Sequence, residues 1–195
     1  MRHYLDANAT EPLRPEARAA LLAALADAGN PASVHADGRA ARRILEDARE
    51  AIASAFGARP AGVVFTSGAT EANALALHAF GAGRRIVVGA TEHDSVLAAA
   101  PDAQRLPVDR HGVADLDALA ALLPAGPALV ALMAANNETG TLQPLAAAAA
   151  LCRRFGAWLH VDAVQAAGRI PLDLAALGAH SLALSGHKLG GPMGA

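Results

Sequence analysis

The chain changes rhythm near residue 60. Before it, apolar residues recur at helical spacing. Residues 15–28 read as one helix, stopped by Gly29-Asn30-Pro31. Residues 36–56 read as a longer one, with Ile44, Leu45, Ala48, Ile52 and Phe56 at helical spacing and Gly57 as its stop. Beyond residue 60, short β-branched runs appear: VVFT at 63–66, RIVVG at 85–89, RLPV at 105–108, ALVALMA at 128–134, WLHV at 158–161 and SLALS at 181–185. Helical patterns at 70–80, 94–100, 115–123 and 144–155 lie between most of them. This alternation predicts an α/β fold with a mostly parallel sheet covered by helices. The runs are nearly continuously apolar, as strands buried on both faces must be. No internal repeat or low-complexity linker breaks the order.

In such a sheet, ligands sit beyond the carboxyl ends of the strands. The residues that follow the runs are SGATEAN, ATEHDS, DRHG, ANNETG, DAVQ and GHKLGG. Polar, small and ionisable residues therefore gather on one edge of an apolar sheet, and that edge is the expected site.

Composition narrows what the site can serve. Hydrophobic residues make up 53% of the 195, charged residues 17%, and the formal charge is −2. That describes a globular chain with a core. With no basic stripe and only 3% aromatics, neither nucleic-acid binding nor base stacking is expected. The longest apolar run, 145–152, is too short to span a bilayer, so no membrane role is expected. One cysteine, Cys152, excludes an internal disulfide framework, and a cytoplasmic location is expected. Cys152 sits on the strand-remote half of a helix, where a buried structural thiol is the expectation. The basic residues hold one further signal: besides histidine there are fifteen arginines and a single lysine, Lys188. An ammonium can lose its proton when buried and act as an amine nucleophile, which a guanidinium cannot.

Each motif on the edge admits a chemical and a structural role. Ser67-Gly68-Ala69-Thr70-Glu71 follows a strand and opens a helix; its N–H groups, with the Ser67 or Thr70 hydroxyl, suit a phosphate, or else form an ordinary cap with an acidic first turn. It is neither a Walker loop nor a GxGxxG turn, which argues against nucleoside triphosphates and dinucleotides. Asp162, directly after a strand, suits a pyridinium nitrogen, or caps the next turn; Gln165 can bring an amide toward the same ligand. His93 can stack on a flat heterocycle and exchange protons, or begin a helix. Asn136-Asn137-Glu138-Thr139-Gly140 offers amides and a turn, and Ser185 and His187 flank the lysine. A phosphate seat, a carboxylate, a stacking ring, amides and one lysine together form the inventory for pyridoxal phosphate.

The motifs YLDANAT, NPASVHADGRAAR, VFTSGATEAN, TEHDSV, NNETGTLQP, HVDAVQAAGRIPLDL and SGHKLGGPMG, in this order, resemble those of the cysteine desulfurases of the nitrogen-fixation and iron–sulfur-cluster type, in the class V aminotransferase family. The resemblance covers essentially the whole chain. It implies the large domain of a fold-type-I pyridoxal 5'-phosphate enzyme, with 1–60 an N-terminal segment with helices and 61–195 an incomplete cofactor-binding domain. It implies Lys188 as the Schiff-base lysine and His93 as the ring-stacking acid/base. Asp162 would partner the pyridine nitrogen, and Asn137 and Gln165 would lie on the ring-hydroxyl side. Ala69 through its backbone, Thr70, Ser185 and His187 would hold the phosphate, and Asn8 would lie near the substrate carboxylate. The implied reaction converts L-cysteine to L-alanine and leaves sulfur as a persulfide on an enzyme cysteine. The implied partners are a second copy of the chain and a sulfur-acceptor or iron–sulfur scaffold protein.

Family members run about twice as far, into a small C-terminal domain with the persulfide cysteine and a carboxylate-binding arginine. Their next strand after GHK is antiparallel and lies between the first strand and the SLALS strand. A chain ending before it is expected to leave sheet edges unpaired, to bind the cofactor poorly and to be inactive alone. The alternatives are another class V enzyme, either a selenocysteine lyase or an aminotransferase; a metal-dependent hydrolase built on Glu92, His93, His160, Asp162 and His187; or a non-catalytic interaction module. No metal site is expected, since HExxH and paired-cysteine frameworks are missing.

Overall fold

The computed structural model describes residues 3–26 and 29–194. They form two compact units: Thr66–Ser185, and the residues up to Phe65 together with those from Gly186 onward.

The unit Thr66–Ser185 is built on five parallel strands in the order β2-β1-β3-β4-β5. They are β1 (Arg85–Gly89), β2 (Gln104–Leu106), β3 (Ala128–Ala131), β4 (Trp158–Asp162) and β5 (Ser181–Ala183). The register pairs Val87 with Val130, Val130 with Leu159, and Val161 with Leu182. Alternate residues face opposite layers, as the pleat requires. Val87, Val130, Leu159 and Val161 join one core with Leu119 of α5 (Leu116–Leu122) and with Leu145, Ala148, Ala149 and Cys152 of α6 (Leu145–Phe155). Val88, Leu129 and Ala131 join the other with Leu77 of α3 (Ala69–Gly81) and Val96 of α4 (Asp94–Leu97). Each fully buried Leu or Val contributes about 1.5–3 kcal/mol, so the two layers hold the sheet between them.

Helix ends follow local chemistry. Asp115 caps α5 by accepting from Ala118 N, and Asp173 caps the short α7 (Leu174–Leu177) by accepting from Ala176 N. Gly156, at φ 66°, closes α6 in the left-handed conformation that glycine adopts without strain. At the start of β4, Trp158 is sandwiched between the Arg84 guanidinium at 3.9 Å and the stacked His180 ring at 5.2 Å. Bulky packing thus occupies the amino ends of the strands.

The run 63–66 is a correction to the expected strands. Val63 is extended, at φ −83° and ψ 125°, but the run pairs with nothing in the described sheet, and Val64 and Phe65 are 66% and 41% exposed. β-Branched composition favours an extended backbone, but a strand exists only where a neighbour takes up its N–H and C=O groups. The RLPV run shortens likewise to β2, and β3 ends at Ala131, although Leu132 N–H and Ala134 N–H still donate to His160 O and Asp162 O of β4.

The other unit holds α1 (Pro15–Ala26) and α2 (Ala36–Ala55). The expected helix at 15–28 is described only to Ala26; residues 27 and 28 lie outside the described residues. His35 caps α2 through Gly38 N. Gly38 has to be glycine, because a Cβ there would lie 2.4 Å from Ser33 O. No residue of α1 is buried.

Candidate active site

Within the unit Thr66–Ser185, strand β4 delivers Asp162 to its carboxyl end, only 6% exposed. Burying a carboxylate is costly unless donors satisfy it. Val164 N–H donates to Oδ1 at 3.0 Å, the turn-capping role, and Asn73 Nδ2 donates to Oδ2 at 2.8 Å. Asn73, on the first turns of α3, is fully buried. Its amide also donates to Ser95 Oγ at 3.0 Å, and its Oδ1 lies 2.9 Å from His160 Nε2. Since a carboxylate only accepts, the Asn73 amide nitrogen must face Asp162, so its oxygen faces His160 and Nε2 of that ring carries the proton. His160 Nδ1 then accepts from Ser181 Oγ at 2.8 Å. Burial lowers the His160 pKa to about 4, so the ring is neutral.

Beyond β1, His93 caps α4: Ser95 N–H donates to its Nδ1 at 3.1 Å, and Ser95 Oγ lies 2.9 Å from the same atom. Its proton therefore sits on Nε2. A continuous chain of hydrogen bonds runs from Ser181 through His160, Asn73 and Ser95 to His93, with Asp162 as a branch.

The helix start at 67–71 carries the acidic first turn expected of it, Glu71, which bonds back to Ser67. Glu71 Oε2 accepts from Ser67 N and Ser67 Oγ, each at 2.7 Å, and these bonds hold its carboxyl below the usual range. The Ser67 hydroxyl is thereby turned to Glu71. Gly68, the cap residue, brings no side-chain cap, and a Cβ built on it would meet nothing within 4 Å. The first backbone bond of α3 is Ala72 N to Gly68 O, so the N–H groups of Ala69, Thr70 and Glu71 precede it beside open space.

Three further expected residues lie at strand ends of the same unit. Gln165 is 9% exposed, and its Oε1 accepts from Arg169 Nη1 at 2.5 Å. Ser185 is buried two residues beyond β5. Asn137 follows Asn136, whose Oδ1 accepts from Glu138 N and Thr139 N and whose amide donates to Thr91 O, so Asn136 organises the turn. Asn8, His187 and Lys188 belong to the other unit. There Lys188 Nζ donates to Asn8 O at 2.5 Å and Ala9 O at 2.9 Å, and His187 Nδ1 lies 3.1 Å from Thr10 Oγ1. Burial and the neighbouring Lys188 charge hold His187 below its ordinary pKa.

Asn73, Ser95 and the buried role of Glu92 escaped the sequence reading. One signal for Asn73 was available: it lies three and four residues before Ala76 and Leu77, on the buried stripe of its helix, where a polar side chain requires a partner. Cys152 is 1% exposed and burial raises its thiol to about 11, as expected of a structural cysteine. Among the described residues, no group of three or more His, Cys, Asp or Glu comes together as a metal site, and no helix is long and apolar enough to cross a membrane.

The family model described as aminotransferase class-V matches residues 3–195. A cysteine desulfurase of Cereibacter sphaeroides is 44% identical over 99% of this chain and 54% of its own length. An IscS-like cysteine desulfurase of Mycobacterium tuberculosis is 40% identical over 98% and 53%. Among solved structures, a NifS-like protein from Rickettsia africae superposes with a TM-score of 0.92 at 35% identity, covering 98% of this chain and 56% of that one. The chain spans about half the length of the relatives it matches.

Proposed function

Because the chain belongs to the class-V aminotransferase family, with cysteine desulfurases among its relatives, we propose that it contributes the cofactor-binding part of a pyridoxal-phosphate-dependent cysteine desulfurase. The observation that carries this reading is Asp162, a buried carboxylate at a strand's carboxyl end, fixed on both oxygens by neutral amide donors. Such a carboxylate favours a protonated ring nitrogen facing it. The donor set fits the rest of the group: N–H groups of Ala69 and Thr70 beside the open space at Gly68 suit a phosphate. Pyridoxal phosphate, when bound, supplies a ring that withdraws electrons from the α-carbon of an amino acid joined to it.

The chain's own residues then have separable tasks. Asp162 holds the proton on the ring nitrogen. Ala69, Thr70 and Ser185 anchor the phosphate, and Asn137 and Gln165 orient the ring hydroxyl side. His93, with its proton on Nε2, stacks on the ring and serves as acid or base. Lys188 as the attachment amine, His187 as a phosphate donor and Asn8 beside the substrate carboxylate enter from the sequence motifs alone. In the overall reaction the C–S bond of L-cysteine breaks and an S–S bond forms to an acceptor thiolate, giving L-alanine and a persulfide with no outside oxidant. Cys152, buried and with its thiol raised to about 11, is not suited to be that acceptor.

Incubating the chain with pyridoxal phosphate tests the reading. With the cofactor in large excess, because the chain alone is expected to bind it poorly, the expected result is a visible absorption band that borohydride abolishes, leaving the cofactor's mass on the peptide containing Lys188. No band, or the mass on the N-terminal amine only, sinks it.

A further inference from the structure

The hydrogen-bond chain described above gives one buried residue a task of its own. Asn73 uses both amide protons, one on Asp162 Oδ2 at 2.8 Å and one on Ser95 Oγ at 3.0 Å. Its carbonyl oxygen lies 2.9 Å from His160 Nε2, and His160 is itself pinned through Nδ1 by Ser181 Oγ at 2.8 Å. Ser95 in turn touches His93 Nδ1 at 2.9 Å. We propose that Asn73 is the positioning residue that sets the Asp162 carboxylate and the His93 ring in one frame, an inference that rests on the cofactor reading above.

The physical argument is one of orientation. A carboxamide is the one side chain of this size that offers an acceptor on one branch and two donors on the other. Reversing it would set its oxygen against the Asp162 oxygen, so Asp162 opposes the flip, and His160, whose Nδ1 faces a hydroxyl that can donate or accept, takes the tautomer the amide selects. His160 is 1% exposed and held at both ring nitrogens, by Asn73 and by Ser181, so it backs the amide from the side away from Asp162. Leucine would fill the space but leave Asp162 one donor short; aspartate would set an oxygen against it. Asn73 itself sits on a thirteen-residue helix packed on the sheet, an element more rigid than a loop. Two groups on different elements, the end of β4 and the start of α4, thereby acquire one common reference point.

The test dissects the two arms in the full chain with Asn73→Ala and Ser95→Ala. NMR of the cofactor-free chain reads the Asp162 side-chain carboxyl carbon and the His93 ring nitrogens at one fixed pH. The Asp162 resonance is expected to move in Asn73→Ala and to stay in Ser95→Ala, while the His93 resonances move in both. With pyridoxal phosphate added, Asn73→Ala is expected to weaken binding about tenfold, the worth of one hydrogen bond to a charged group, and to shift the visible maximum. Ser95→Ala leaves that maximum in place. If Asn73→Ala does not fold, Asn73→Ser replaces it, since a helix carbonyl can satisfy the serine hydroxyl. An Asp162 resonance and a visible maximum in the folded variant identical to the parent's would overturn the proposal. Should the parent show no visible band, the cofactor reading fails, and the cofactor-free Asp162 resonance alone then decides whether Asn73 positions the carboxylate.

Discussion

Glu92 is 5% exposed; its Oε1 takes the Met133 N–H at 2.6 Å, and its buried Oε2 makes no hydrogen bond. Burial raises its carboxyl from 4.5 to about 8, with the Met133 N–H opposing and the Asp162 charge adding. The fold therefore keeps a proton that the unfolded chain releases, and this contribution to stability is lost as pH rises through that window. The shifted histidines, His160, His180 and His187, all move below 6.5, so their effect lies on the acid side. Above pH 6.5 Glu92 dominates, since the raised Cys152 thiol adds its loss only as pH nears 9.0 and does so in both proteins. Between pH 6.5 and 8.5 the parent is expected to lose about 2 kcal/mol that Glu92→Gln, which keeps the acceptor, does not lose. Urea unfolding at the two pH values measures it, and equal losses in both proteins refute it. At this scale the sequence exposed Asp162 and His93 through their place after strands. Glu92 and Asn73 were hidden because burial of a polar side chain is a property of the neighbours that cover it.

The turn into α3 decides whether the site has a phosphate seat. Gly68 has φ 141° and ψ 179°, a region essentially restricted to glycine, and the space over its Cα is open. Gly68→Ala is expected to destabilise the unit by about 1–3 kcal/mol through the backbone alone. Gly62→Ala is the matched control: open space surrounds it too, yet its φ is not positive, so it should be nearly neutral or slightly stabilising. Thermal unfolding of the two variants settles the contrast, and equal shifts would refute it. Elements were the most legible level of this chain. The helical pattern at 144–155 became α6 with only its first residue left out, and β1 occupies the whole RIVVG run. The run at 63–66 misled because propensity describes a residue's fit to a strand and cannot supply the neighbouring strand.

On the scale of the whole chain, α/β layering and a parallel sheet were read from alternation alone. What alternation could not show is that residues 8–14 bind residues 187–190. Glu11 N–H donates to His187 O at 2.9 Å, Arg14 N–H to Gly190 O at 2.9 Å, and Lys188 Nζ to Asn8 O across 180 residues of sequence. No local pattern encodes a pairing of that span. A lysine-specific protease, which has one site in this chain, reads it directly. Cleavage after Lys188 is expected to be about fivefold faster in Thr10→Val, which loses the contact with His187 Nδ1, as one neutral hydrogen bond is worth. An unchanged rate means the segment is held elsewhere.

That long-range clasp also imposes a timetable on biosynthesis. Residues 8–14 leave the ribosome early but cannot be seated until residue 190 follows, a wait on the order of ten seconds or more at ordinary elongation rates. Leu5 and Leu13, 93% and 42% exposed even with residues 8–14 seated, stay accessible to chaperones throughout that interval.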